Sequence, residues 1–105
     1  MAFNIPVASI DGNAYRLLAR YFGIFSNIDT ASGNETYTVD LEEAGTSVLS
    51  AAISLTADNT PVVGTVSDSS IADNAKMEVV LTIGGTSPTL DDLTVLLTFK
   101  IAHLA

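Results

Sequence analysis

Few groups in this 105-residue chain could take part in chemistry, and most of them are carboxylates. Two acidic doublets stand out, Glu42-Glu43 and Asp91-Asp92. General acid–base work needs two carboxylates held apart across a cleft, in environments that push their proton affinities in opposite directions. Neighbours on an extended chain point to opposite faces, so neither doublet makes such a pair, and both read as solvated acids at loops or strand ends. Asp58-Asn59 and the stretch Asp68-Ser69-Ser70-Ile71-Ala72-Asp73-Asn74 could offer oxygens to a hard cation such as Ca²⁺. An EF-hand loop needs acidic or amide residues at alternate positions, then Gly and a distal Glu, and neither stretch has that order. The tendency of Asp and Asn to bond their own backbone in turns accounts for both. His103 is the single His, with no nucleophile motif for it to serve. Gly84-Gly85 is followed by no basic residue that could hold phosphate. The expectation is therefore no catalytic residue, no cofactor, no metal ligand and no enzymatic activity.

The basic residues are Arg16, Arg20, Lys76 and Lys100. Arg16 and Arg20 are four apart and share a face on a strand or a helix. In an acidic chain they could pair with carboxylates of a neighbouring subunit, where the guanidinium fork suits interface ion pairs. They could equally pair internally with the acidic stretch Glu35 to Glu43.

The elements that must position these groups are mostly strands. Leu93, Val95, Leu97, Phe99 and Ile101 alternate with Asp92, Thr94, Leu96, Thr98 and Lys100, the period-2 pattern of a half-buried strand. Met77, Val79, Leu81 and Ile83 alternate in the same way with Lys76, Glu78, Val80 and Thr82. The link Gly84 to Asp91 is rich in turn residues, so the two strands are expected to form an antiparallel hairpin with a long loop. Weaker strand signals cover Thr36 to Leu41, Val48 to Thr56 and Pro61 to Val66, with Pro61 suited to a strand start or an edge. Ala14 to Ile28 fits two templates. As a helix it places Ala14, Leu17, Leu18, Tyr21, Phe22 and Phe25 on one stripe; as a strand it places Tyr15, Leu17, Ala19, Tyr21 and Phe25 on one face. Short strands spaced by Gly, Asn, Asp and Ser predict an all-β antiparallel sandwich or jelly-roll-like barrel, with room for one short helix in the N-terminal third. Residues 1–12, apolar, uncharged to Ile10 and carrying Pro6, read as an extended N-terminal arm, and residues 13–105 as a single domain.

Composition narrows the function classes. The chain is 48% hydrophobic but only 15% charged, against about 25% charged in ordinary soluble proteins. Ser and Thr, 22 in all, take the place of much of that charge. A small apolar chain with few charges must coat itself with hydroxyls or be covered by copies or partners. The net charge of −8 and four scattered cations argue against a nucleic-acid partner. The longest uncharged run, Ala44 to Ala57, is too short and too polar to cross a bilayer, so no membrane association is expected. The first residues carry no basic stretch leading into an apolar run, so synthesis in the cytoplasm is expected. Without Cys there is no disulfide framework.

The order of the pieces resembles small structural proteins of tailed bacteriophage virions. The matching segments are Ala14-Tyr15-Arg16-Leu17-Leu18-Ala19-Arg20-Tyr21-Phe22-Gly23, then Gly33 to Leu41, Val48 to Val66 and Met77 to Ile101. The resemblance implies a β-sandwich capsid decoration, or cement, protein, or a related head, neck or tail subunit. It tips Ala14 to Ile28 towards strand. It further implies location in the virion, a homo-oligomer, with a trimer expected, and the phage major capsid protein as partner. Arg16, Arg20, Tyr21, Phe22 and Phe25 are the residues expected at such an interface. The alternative is a glycan- or surface-binding sandwich module, in which an exposed aromatic, with Tyr37 as the candidate, would stack on sugar.

Overall fold

A computed structural model describes residues 2–4, 9–10, 13–29, 33–71 and 75–103. Ten strands follow in chain order: β1 (Ala2–Asn4), β2 (Ser9–Ile10), β3 (Asn13–Ile28), β4 (Thr36–Glu43), β5 (Thr46–Ser47), β6 (Ile53–Ser54), β7 (Val62–Gly64), β8 (Ser70–Ile71), β9 (Lys76–Gly84) and β10 (Leu90–His103). They form two antiparallel sheets packed as a sandwich. In the first sheet the order is β1-β9-β4-β5, with β6 also pairing β4. In the second it is β10-β3-β2, with β7 and β8 also pairing β3. No helix occurs among the described residues, so the helical reading of Ala14 to Ile28 is overturned. The segment becomes β3 because its Tyr, Phe and Ile side chains fit a pleated surface and because β10 pairs with it along nearly its whole length. The molecule is 56 Å long and 22 Å by 21 Å across, and β3, at about 3.3 Å per residue, runs most of that length.

The face expected of β3 is split by a bulge. Thr98 pairs with Tyr21 and Phe99 with Ala19, leaving Arg20 as one extra residue on β3. An extra residue reverses which side chains point inward. Ala19 points into the core before the bulge; Phe22, Ile24, Ser26 and Ile28 do so after it. Tyr21 and Phe25, expected on the inner face with Ala19, therefore lie outside.

The expected hairpin of Lys76–Ile83 with Asp92–Ile101 does not form. β9 pairs with β1 and β4, and β10 with β3, in the opposite sheet. Period-2 alternation finds a strand but does not choose its neighbour. The link between β9 and β10 arches from one sheet to the other. Gly85 makes the arch possible: its φ is +99°, and a Cβ there would strike Asn34 O and lie 2.7 Å from Glu35 Cα. Both strands nonetheless present the expected faces over most of their length. Met77 and Val79 are buried, and Leu93, Val95, Leu97 and Phe99 pack against the core.

The core lies between the sheets. Phe22, Ile24 and Ile28 of β3 meet Tyr37, Val39 and Leu41 of β4 and Met77 and Val79 of β9, with Val48, Leu49, Ile53 and Leu55 filling one side. Burial of such side chains stabilises by about 1.5–3 kcal/mol each. Of the stretch expected as a strand from Val48 to Thr56, only Ile53–Ser54 is one; the rest is loop that still delivers its apolar side chains inward. Pro61 precedes the edge strand β7, as its missing N–H requires. Of the expected N-terminal arm, Ala2–Asn4 adds to the first sheet beside β9 of the same chain, and Ser9–Ile10 pairs with the start of β3. Residues 1, 5–8 and 11–12 lie outside the described residues.

Candidate interaction surface

The residues singled out as possible chemical groups resolve into structural roles. Asp58 accepts the Ile28 N–H at 2.9 Å, and the Asn59 N–H donates to Ser26 O at 2.8 Å, so this doublet fastens a loop to the end of β3. Asp68 accepts from the Ser70 N–H at 3.3 Å in a local turn. Asp73 and Asn74 lie outside the described residues. Asp92 sits in a bulge of β10, with φ +55°, and accepts from Asn27 Nδ2 at 3.3 Å. Glu42 and Glu43 lie at the end of β4, half-buried, with Glu42 directly opposite Glu78. Among the described residues no cluster of three or more His, Asp or Glu side chains could hold a metal. The backbone of His103 pairs with Tyr15; its side chain is outside the described set.

Tyr37, the candidate for sugar stacking, is a core residue. Its hydroxyl donates to Asp29 O at 2.6 Å and accepts from the Thr89 N–H at 3.0 Å, tying the start of the β3–β4 link and the end of the β9–β10 link to one buried ring. It presents no face to a ligand.

What remains at the surface is the outer face of the second sheet. Gly23 lies at its centre, with Leu96 of β10 opposite on one side and Val63 of β7 opposite on the other. Tyr21 and Phe25 stand two residues before and after Gly23 and point the same way. The Tyr21 ring lies over Gly23, where an added Cβ would meet it at 2.8 Å. Tyr21, Phe25, Val63 and Leu96 are 38, 37, 54 and 57% exposed, a connected apolar patch on what should be a solvated sheet face. Between them lies a shallow depression of about 170 Å³, lined by Tyr21, Gly23, Phe25, Pro61, Thr94 and Leu96. Exposed Arg20 and Lys100 lie at one end of this face.

Of the residues expected at an interface, the structure brings Arg20, Tyr21 and Phe25 together on this face. Phe22 is a correction: it is fully buried between the sheets, because the bulge at Arg20 turns it inward. The Arg16 side chain lies outside the described set. Leu96 and Val63 were missed as surface residues. The signal for Leu96 was legible, since it is the one apolar residue among Asp92, Thr94, Thr98 and Lys100 on the polar side of its strand. Comparison of the chain with protein-family models, with curated proteins and with solved structures finds no match.

Proposed function

We propose that this chain is a non-enzymatic structural protein of a tailed-bacteriophage virion, a decoration or cement protein that self-associates and seats on the major capsid protein to stabilise the head shell. The observation that carries the self-association is the apolar outer face of the second sheet around Gly23. Surfaces of this kind are normally covered by another molecule, and each Å² of apolar area removed from water contributes about 25 cal/mol. The virion assignment rests on the resemblance of the chain's segments to phage structural proteins. The mechanism is physical: rigid sheets carry apolar side chains that a neighbour buries, and the few charges at the margin set orientation.

The test begins with the coding region. If it neighbours a major capsid gene, shells assembled from that capsid protein are mixed with the purified chain. Co-sedimentation and a raised temperature of shell disassembly are expected. A chain that leaves both the pellet and the shell's stability unchanged overturns the virion reading. A second reading, glycan binding, is favoured by one observation, the two exposed rings of Tyr21 and Phe25 on a single sheet face. Binding on a glycan array that disappears in Tyr21→Ala would support it; an array without signal removes it.

A further inference from the structure

The two long sides of the sandwich are finished differently. On one side the chain stitches the sheets together: Leu49 bridges Val66, the Ser50 N–H donates to Thr65 O at 2.9 Å, and the Ser67 N–H donates to Val48 O at 2.8 Å. The edges of β3 and β4 on that side are covered in pieces, β3 by β2, β8 and β7 and β4 by β5 and β6. On the other side β10 is the last strand of its sheet, with no neighbour beyond it among the described residues. Its inward side chains Leu93, Val95, Leu97 and Phe99 are only partly buried, whereas those of β4 are fully buried. Leu81 and Ile83 share the inner face with Val39 and Tyr37, directly opposite them, yet remain exposed. Among the described residues the sandwich is open along this side.

An edge strand offers unpaired N–H and C=O groups to another strand, and natural proteins usually blunt such edges with charge, Pro or a bulge. β10 is blunted only at its ends. Asp91, Asp92 and the bulge stand at one end and Lys100 towards the other; residues 93–99 between them carry no charge and no Pro.

The geometry points to β10 as a joint between two copies of this chain, pairing antiparallel with itself about a two-fold axis at Leu96. The pattern along the strand is self-complementary in that register. Leu96 faces Leu96, Thr94 faces Thr98, Val95 faces Leu97 and Leu93 faces Phe99, and Asp92 of each copy meets Lys100 of the other. A slip of one residue would set outward side chains against inward ones. A slip of two residues keeps the faces matched but moves the axis to Val95 or Leu97 and takes Lys100 away from Asp92. Charge complementarity thus selects Leu96, the most exposed large apolar side chain among those described on the strand. The joint joins the second sheets of two copies into one continuous sheet and carries the apolar strip at the open edge into the contact. It gives the proposed self-association a two-fold unit in place of the trimer implied by the resemblance, and it stands on the edge geometry whether or not the chain belongs to a virion.

The test uses the full chain and three variants. The wild type is expected at twice 10.9 kDa by light scattering at micromolar concentration. Leu96→Lys sets two like charges face to face at the axis and is expected to halve the mass with an unchanged far-ultraviolet spectrum. Leu96→Cys is expected to form a covalent dimer on mild oxidation, because directly opposed residues on antiparallel strands lie about 4.5–5.5 Å apart, within disulfide reach. Val63→Cys, equally exposed on the same sheet face but far from the axis, is expected to stay largely uncrosslinked. A trimer, or an oligomer whose mass is unchanged by Leu96→Lys and which does not crosslink through Leu96→Cys, overturns the joint while leaving self-association standing. A wild-type monomer overturns both.

Discussion

The two outer faces of the sandwich are built from the same kind of strand and present opposite surfaces. The outer face of the first sheet carries Thr36, Thr38, Asp40 and Glu42 on β4 and Lys76, Glu78, Val80 and Thr82 on β9. That is the apolar-in, polar-out alternation of an antiparallel sheet facing water. The outer face of the second sheet carries Tyr21, Gly23 and Phe25 on β3, Val63 on β7 and Leu96 on β10. Its charges, Arg20, Asp92 and Lys100, stand towards the ends. A single core explains the first face and leaves the second unexplained. On the proposal of self-association, the first sheet faces solvent and the second makes the contact.

The contrast can be broken most severely at two neighbouring phenylalanines. Phe22→Ala empties a fully buried position and should cost about 3–5 kcal/mol of folding stability, measured by denaturant melts. Phe25→Ala, three residues on and on the partly exposed outer face, should cost the isolated chain about 1 kcal/mol, well below the cost of Phe22→Ala. If the two cost alike, the bulge at Arg20 is not where the structure puts it. A second comparison sets Leu96→Lys against Thr82→Lys. The first places a charge in the apolar patch and should reduce native mass; the second places one on the solvated face and should leave mass unchanged. Equal effects would erase the distinction between the sheets.

Smaller effects test the joints that hold the sheets in place. Gly85→Ala forces a side chain into a left-handed conformation against Asn34 and Glu35, and should destabilise by about 1–3 kcal/mol, lowering the melting temperature. Ser26, a buried polar residue of β3, donates to Asp91 O at 2.6 Å and holds the β10 bulge. Ser26→Ala should cost about 1 kcal/mol, read from the same melts. Ala44 and Gly45, both at positive φ, form the two-residue turn between β4 and β5. Asn tolerates that conformation better than Ala, so Ala44→Asn should stabilise by roughly 0.5 kcal/mol without altering mass.

Much of the fold was legible in the sequence because alternation is a local signal. Tyr37, Val39 and Leu41 on one side of β4, and Leu93 to Phe99 on one side of β10, were readable residue by residue. Pairing was not. Nothing in the spacing of Met77 to Ile83 and Leu93 to Ile101 distinguishes a hairpin from an arch between sheets, since the decision is made at Gly85 by its contact with Asn34 and Glu35. The inner face of β3 was hidden for a related reason. A single extra residue, Arg20, reverses the register, and no residue type announces a bulge there. Part of the proposed contact surface was visible as Arg20, Tyr21 and Phe25, but Phe22 could be assigned to the core only once that bulge was seen. Val63 could join the patch only through its pairing with Gly23, a contact 40 residues distant in sequence.

The most direct test of self-association through the second sheet is the native mass of the wild-type chain and of Leu96→Lys, at micromolar concentration, in dilute buffer and in about 1 M salt, where exposed charges are screened but apolar burial is not. Self-association through the second sheet predicts an oligomer of the wild type that persists in salt and a smaller species for Leu96→Lys. A wild-type monomer in both buffers, or a variant that assembles as the wild type does, would contradict it.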